Sequence, residues 1–293
     1  MNALIEHLVI GIAIGAVYSV ISLGFILIYK GTGIFNLAQG SLMVIGAYLC
    51  FLFSVTLGWP FWLAAVISIV LSFFIGWLIE LVFLQKLVAE SHLSLLMITI
   101  SIFVIVRGII LLSAGTANNS FPAYIPTTPV NILGASIQPV FLLATATAIL
   151  LFSVFILFFK YTSIGIAMRA TQDNQKVAQS LGINSNRIFG LSWAISSLAA
   201  TVGGIIVGTI LSLTYSLDDY GMKVLPAIIL GGLESIPGAL IGGIVMGIVE
   251  HLSGAYLGTQ LIGIEDTANY VILLLILLIR PYGIFGQKTV TRA

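Results

Sequence analysis

Charge is the scarcest feature of this chain. Only 7% of its 293 residues are Asp, Glu, Lys or Arg, against about 25% in soluble domains. So few charges cannot clothe a water-facing surface, which excludes an ordinary soluble globular protein. The net charge of +1 leaves no bulk field to attract nucleic acid, and none is expected as a partner. The one cysteine, Cys50, excludes an internal disulfide. Inside its apolar run it reads as a small core residue. The three histidines, His7, His92 and His251, stand in different regions, so no metal cluster is expected. No G-x-S-x-G, C-x-x-C, H-E-x-x-H or G-x-x-x-x-G-K-[ST] occurs. A hydrolase elbow, a redox pair, a zinc site and an ATP-binding P-loop therefore have no residues to build on. No catalytic residue, metal or cofactor is expected.

What the chain has instead is apolar length. Hydrophobic residues make up 59% of it, in continuous runs of the length that crosses a bilayer as a helix. Barrel strands would alternate apolar and polar residues. The expected fold is an all-α polytopic membrane protein, one transmembrane domain over 1–293. The 30 glycines suit close helix approach and local helix breaks. Spans are expected at about Leu8–Tyr29, Leu42–Val55, Phe61–Leu84, Leu95–Ser113, Pro139–Phe159, Ile188–Leu213 and Ala268–Ile279. A broken hairpin at 224–252 makes about eight hydrophobic regions, or eight to nine crossings. The first span lacks a positive leader and carries Glu6 and His7, so it reads as retained.

The longest polar stretch, 160–187, carries Lys160, Arg169, Lys176 and Arg187 against Asp173. Lys and Arg accumulate on the cytoplasmic side. Placing this stretch inside also places Lys30, Lys86, Arg280, Lys288 and Arg292 inside. The proline-containing link 115–138, an irregular extended cap, and Asp218-Asp219 then face out. Within 160–187, Ile166, Ala170, Val177 and Leu181 share a helical stripe. Arg169 and Asp173 have i,i+4 spacing. Thr171 or Asp173 offers an N-cap and Gly182 a C-cap. This pattern predicts a short helix after Thr171, parallel to the membrane, that docks a partner.

Polar groups inside the apolar regions are few. Arg107 is the one charge well inside a span, while Glu80 and Glu250 lie near span ends. Arg107 either faces the bundle interior and pairs with a carboxylate, binds a substrate carboxylate, snorkels, or makes a structural ion pair. Asn36, Gln39, Gly40 and Ser41 sit at one helix break, and Gly231, Gly232 and Glu234 at another. They either line a pathway or merely satisfy the broken backbone. The two breaks echo each other: Asn36-Leu-Ala-Gln39-Gly40-Ser-Leu against Glu234-Ser-Ile-Pro237-Gly238-Ala-Leu. Matched interrupted helices point to a substrate site in many transporters.

Four ordered stretches resemble the permease subunit of branched-chain amino acid ABC transporters, of the LIV-H type. They are ISLGFILIYKGTGIFNLAQGS (Ile21–Ser41), GIAMRATQDNQKVAQSLGI (Gly165–Ile183), ILGGLESIPGALIGG (Ile229–Gly243) and LLIRPYGIFG (Leu277–Gly286). The resemblance covers nearly the whole chain. It departs from the family pattern at Gln39, where His is usual, at Glu234, where Gly or Ser is usual, and at the charged Arg107. It implies a coupling element with Gly165, Arg169, Ala170, Asp173, Ala178, Leu181 and Gly182, docked on a cytoplasmic ATPase. It further implies a second homologous permease, two ABC ATPases that bind the ATP, an extracytoplasmic substrate-binding protein, and a place in the bacterial cytoplasmic (inner) membrane. A urea or short-amide permease shares this architecture. An autonomous channel or ion-coupled carrier is the alternative from a different class.

Overall fold

The computed structural model describes residues 2–85, 92–132 and 135–286. The expected cytoplasmic charges Lys86, Lys288 and Arg292 lie outside the described residues. Helices follow in the order α1 (Asn2–Thr32), α2 (Gln39–Phe51), α3 (Phe61–Ile79), α4 (His92–Ala114), α5 (Pro139–Tyr161), α6 (Ser163–Asp173), α7 (Gln175–Ser180), α8 (Ser185–Leu211), α9 (Asp219–Lys223), α10 (Leu225–Gly231), α11 (Ile236–Leu257) and α12 (Ile264–Ile279). π-helical turns extend α2 over Leu52–Thr56 and α3 over Glu80–Leu84. Seven of these helices are long and apolar enough to cross a membrane. The chain is an all-α polytopic membrane protein. With 16 residues α12 measures about 24 Å, shorter than the ~30 Å hydrocarbon core.

The cap 115–138 is more ordered than expected. Val130–Ile132 and Ala135–Ile137 form an antiparallel pair, β1 and β2, with Asn131 opposite Ser136. β-branched Val130, Ile132 and Ile137 favour that pairing. Asn119 also exchanges backbone hydrogen bonds with Leu213 (3.0 and 2.6 Å).

The chain divides into two compact units. The first comprises residues 1–22, 125–152 and 223–293. It is knit by glycines at four-residue spacing. On α1 these are Gly11 and Gly15, and on α11 Gly243 and Gly247. A side chain at Gly15 would strike the backbone of Ile244, and one at Gly247 the backbone of Gly15 and Gly11. Small residues at this spacing let two membrane helices approach backbone to backbone. The expected broken hairpin is here too. α10 has only 7 residues and turns through Gly232 (φ +93°) into α11. The two run back along each other, with Gly242 against Ala227 and Gly238 against Gly231.

The second unit comprises residues 23–124 and 153–222. α8 is its axis, with Trp193 1% exposed. Gly204 of α8 packs on the Met43 carbonyl of α2, Thr201 fills the space at Gly46, and Ser197 fills the space at Gly76 of α3. The far sides of α3 and α4 expose Trp62, Phe74, Leu78, Leu93 and Leu112, as lipid-facing helices do. Lys30, at the end of α1, lies 5.8 Å from the Phe159 ring at the end of α5. These two basic helix ends therefore share one side, as the positive-charge count requires.

Candidate substrate pathway and coupling surface

α1 ends at Thr32 because Gly33 turns left-handed (φ +69°). The chain then climbs back beside α1 before α2 starts. Asn36 fixes this start by accepting from the Ala38 N–H (3.0 Å). Its amide also donates to Gln39 Oε1 (3.4 Å). Ser196 Oγ, from α8, lies 2.6 Å from the Gly24 carbonyl oxygen and 2.9 Å from Gln39 Oε1. The cluster is dry: Asn36, Ser41 and Ser196 are 0% exposed and Gln39 1%. Yet Gln39 Nε2 and Ser41 Oγ have no hydrogen-bond partner among the described residues. Each buried unpaired donor costs about 1–3 kcal/mol.

Gly40 is where this break meets the link after α8. A side chain there would strike the Asp218 carbonyl, and one on Gly221 would strike Gly40 Cα. The link Asp218-Asp219 is therefore packed, with Asp218 only 2% exposed. Arg107 of α4 reaches it: Nη1 lies 3.9 Å from Asp218 Oδ1 and 3.2 Å from Asp219 Oδ1, with Nη2 3.4 Å from Asp219 Oδ2. The guanidinium sits between the rings of Tyr215 (5.4 Å) and Phe103 (5.9 Å). Of the fates weighed for Arg107, the one seen is a structural ion pair, with its strongest contact to Asp219, whose side chain is 53% exposed. Burial pushes the Asp218 carboxyl up to about 6, against the opposing pull of Arg107.

The other candidate pathway residues lie in the first unit. Gly231 and Gly232 are buried and Glu234 is half-buried in the turn between α10 and α11. Ser235 caps α11, accepting from Gly238 N–H (3.0 Å). The turn is held by the chain after α12: Ile284 N–H donates to the Leu230 carbonyl (2.8 Å) and Phe285 N–H to that of Gly231 (3.3 Å). Two of the four recognised motifs, Ile229–Gly243 and Leu277–Gly286, thus bond to each other.

The stretch 160–187 holds two short helices instead of one. Thr162 caps α6, accepting from Gly165 N–H (3.0 Å), and Asn174 caps α7, accepting from Val177 N–H (3.1 Å). Thr171 and Asp173 are not caps. Thr171 is buried inside α6, its hydroxyl turned back to the Ala167 carbonyl (2.8 Å). The Arg169–Asp173 pair is absent from the ion pairs of the described residues. Gly182 ends α7 as expected, at φ +86°. Gly182 N–H bonds to Gln179 and Ile183 N–H to Ala178 (both 3.0 Å), the paired closure of a glycine C-cap.

The expected stripe faces outward. Gly165, Met168, Thr171 and Ala178 are buried, whereas Ile166, Val177 and Leu181 are 51%, 53% and 75% exposed. Arg169, Asp173 and Lys176 flank them in solvent and Ala170 is half-buried. Gly165 is buried because α6 rests on the end of α5: a side chain there would strike Phe158 and Phe159 (2.6 Å). Apolar side chains exposed beside charged ones, on capped helices, are the kind of surface that interaction sites present.

Sequence reasoning missed Ser196 and Asp218 as members of these clusters. Their partners are about 110 to 180 residues away, and no local pattern marks them. The caps Thr162 and Asn174 did carry a local signal, a Thr or Asn three residues before the N–H it accepts.

A family model described as "Branched-chain amino acid transport system / permease component" matches residues 7–280. The high-affinity branched-chain amino acid permease protein LivH of Escherichia coli strain K12 is 31% identical over 96% of this chain and 95% of its own length. BraD of Pseudomonas aeruginosa, described as the corresponding permease protein, is 28% identical over 98% and 97%. A probable branched-chain amino acid permease LivH of Methanocaldococcus jannaschii is 28% identical over 91% and 87%.

Proposed function

Because this chain belongs to the branched-chain amino acid transport permease family, we propose that it is the membrane subunit of an ATP-driven importer of branched-chain and other hydrophobic amino acids. It is a transport subunit and a multi-pass protein of the cytoplasmic membrane. The observation that carries the proposal is the family match across nearly the whole chain, joined to an exposed apolar ridge on capped helices between α5 and α8.

In this reading the chain carries no cofactor of its own. Two cytoplasmic ATPases bind the ATP, and one of them receives 160–187, with Gly165, Arg169, Ala170, Asp173, Ala178, Leu181 and Gly182 forming or shaping the contact. Its membrane partner is a second homologous permease. An extracytoplasmic binding protein delivers substrate. The whole of 1–293 works as one transmembrane domain, with 115–138 on the outer side.

The pathway would run past the break at Asn36, Gln39, Gly40 and Ser41. Gln39 Nε2 and Ser41 Oγ are buried donors without acceptors among the described residues. A substrate carboxylate supplies acceptors when the α2 start opens to it, and the helix N-terminus adds favourable charge. Arg107 holds the link over Gly40 through Asp218 and Asp219. Gly231, Gly232 and Glu234 shape the second break.

Cells that depend on this system should take up labelled leucine, and unlabelled leucine or isoleucine should compete while urea does not. Competition by urea with none by leucine would redirect the reading to a short-amide permease.

A further inference from the structure

The first unit contains a cavity of about 130 Å³ lined by Lys223, Glu250, Asp266, Asn269 and Tyr270. The pathway described above does not use it. It has room for a group larger than one water. Its walls are polar and ordered. Glu250 Oε2 accepts from Tyr18 OH (2.6 Å) and from Asn269 Nδ2 (3.0 Å). With its nitrogen so engaged, Asn269 is left with an acceptor to offer. That oxygen, Oδ1, has no hydrogen-bond partner among the described residues, and Asn269 is only 4% exposed. Across the cavity Lys223 Nζ meets Asp266 Oδ1 at 2.8 Å, at side chains 36% and 50% exposed. The wall thus has an inner end made of a carboxylate and a bare amide oxygen, and an outer end that carries an ammonium.

We propose that this cavity binds the zwitterionic head group of an amino acid on its way to the pathway. The ligand's ammonium donates to Asn269 Oδ1 and the Glu250 carboxylate. Its carboxylate lies toward Lys223. Two carboxylates against one ammonium leave the cavity one negative charge in excess, which favours the ligand's cationic end. The volume suits a head group, so the aliphatic side chain lies outside the polar walls. Such a site selects for an α-amino acid over a fatty acid and leaves the choice among side chains to other parts of the system. This proposal rests on the amino acid transport reading given above.

The test uses the full-length chain in lipid nanodiscs. Its melting temperature is followed with millimolar L-leucine, isoamylamine (the ammonium end alone), 4-methylpentanoate (the carboxylate end alone) or sodium chloride. Leucine should raise the melting temperature, isoamylamine should raise it less, and the other two should leave it unchanged. Asn269→Leu and Glu250→Gln should each abolish the leucine shift. Tyr18→Phe, which keeps every charge, should weaken apparent affinity about tenfold, the loss of one hydrogen bond to a charged group. No shift in the parent chain would overturn the proposal. So would an undiminished shift in Asn269→Leu, an unchanged affinity in Tyr18→Phe, or an equal shift from sodium chloride, which would mark an inorganic cation site. Leucine uptake by the assembled transporter separates the two readings. Normal leucine KM in Asn269→Leu removes this site and leaves the transport reading standing. Absence of leucine uptake in the unaltered transporter removes the transport reading whatever the melting curves show.

Discussion

Arg107 is the residue whose surroundings say most about how the second unit is held. Its guanidinium touches Asp219 and reaches toward Asp218, whose backbone lies on Gly40. Burial raises Asp218 to about 6 from an ordinary 3.8. A raised carboxyl binds more protons when folded than when unfolded. Its favourable contribution is therefore present at low pH and is lost as pH rises from about 4 through 6. Asp218→Asn should flatten that part of the profile of melting temperature against pH, a difference of about 3 kcal/mol. Arg107→Gln should act in the opposite sense. With its cation gone Asp218 is harder to ionise, so the variant should lose more stability at pH 8 than at pH 5. Equal loss at both values would mean that the Arg107 charge does not act through Asp218. Arg107 was legible in the sequence as a charge in need of a partner. Its partners were not, because Asp218 and Asp219 look like an ordinary polar link until the fold lays them on Gly40.

At the scale of elements, Gly182 and the seam of α1 with α11 give two sharp expectations. Gly182 sits at φ +86°, where a β-branched residue is strained by about 1–2 kcal/mol or more. Gly182→Val should keep the protein in the membrane but reduce co-purification of the ATPases and uptake together. Leu181→Asp, which leaves the backbone alone but charges the ridge, should do the same. Normal uptake in both variants would count against docking at this surface. Gly247→Leu should instead lower the yield of folded protein, because it forces α11 away from Gly15 and Gly11. Helix positions were legible from apolar length alone: Phe61–Leu84 runs over the residues expected, as α3 and its π-helical turn. The 160–187 stripe was legible as a stripe, but its direction was not. Helical spacing says which residues share a face, whereas burial depends on what α5 and α8 offer. Here the packed neighbours bury Gly165, Met168, Thr171 and Ala178 and leave Ile166, Val177 and Leu181 outside.

For the whole molecule, the charge-poor composition announced a membrane protein, and the four motifs announced its family. The helix breaks were legible because Gly and polar residues interrupt apolar runs at 31–41 and 231–238. The glycine pairs that lock them, Gly40 with Gly221 and Gly238 with Gly231, were not, since a glycine in sequence does not name its neighbour. In the reading proposed above, the energy source lies in partner ATPases and not in this chain. The account stands or falls on that separation. The most direct measurement is labelled leucine uptake into proteoliposomes that hold this chain, its partner permease and the ATPases, with binding protein outside and ATP inside. The account predicts uptake that needs ATP and all components, and disappears when the ATPases are left out. Leucine flux through this chain reconstituted alone, without ATP, would contradict it.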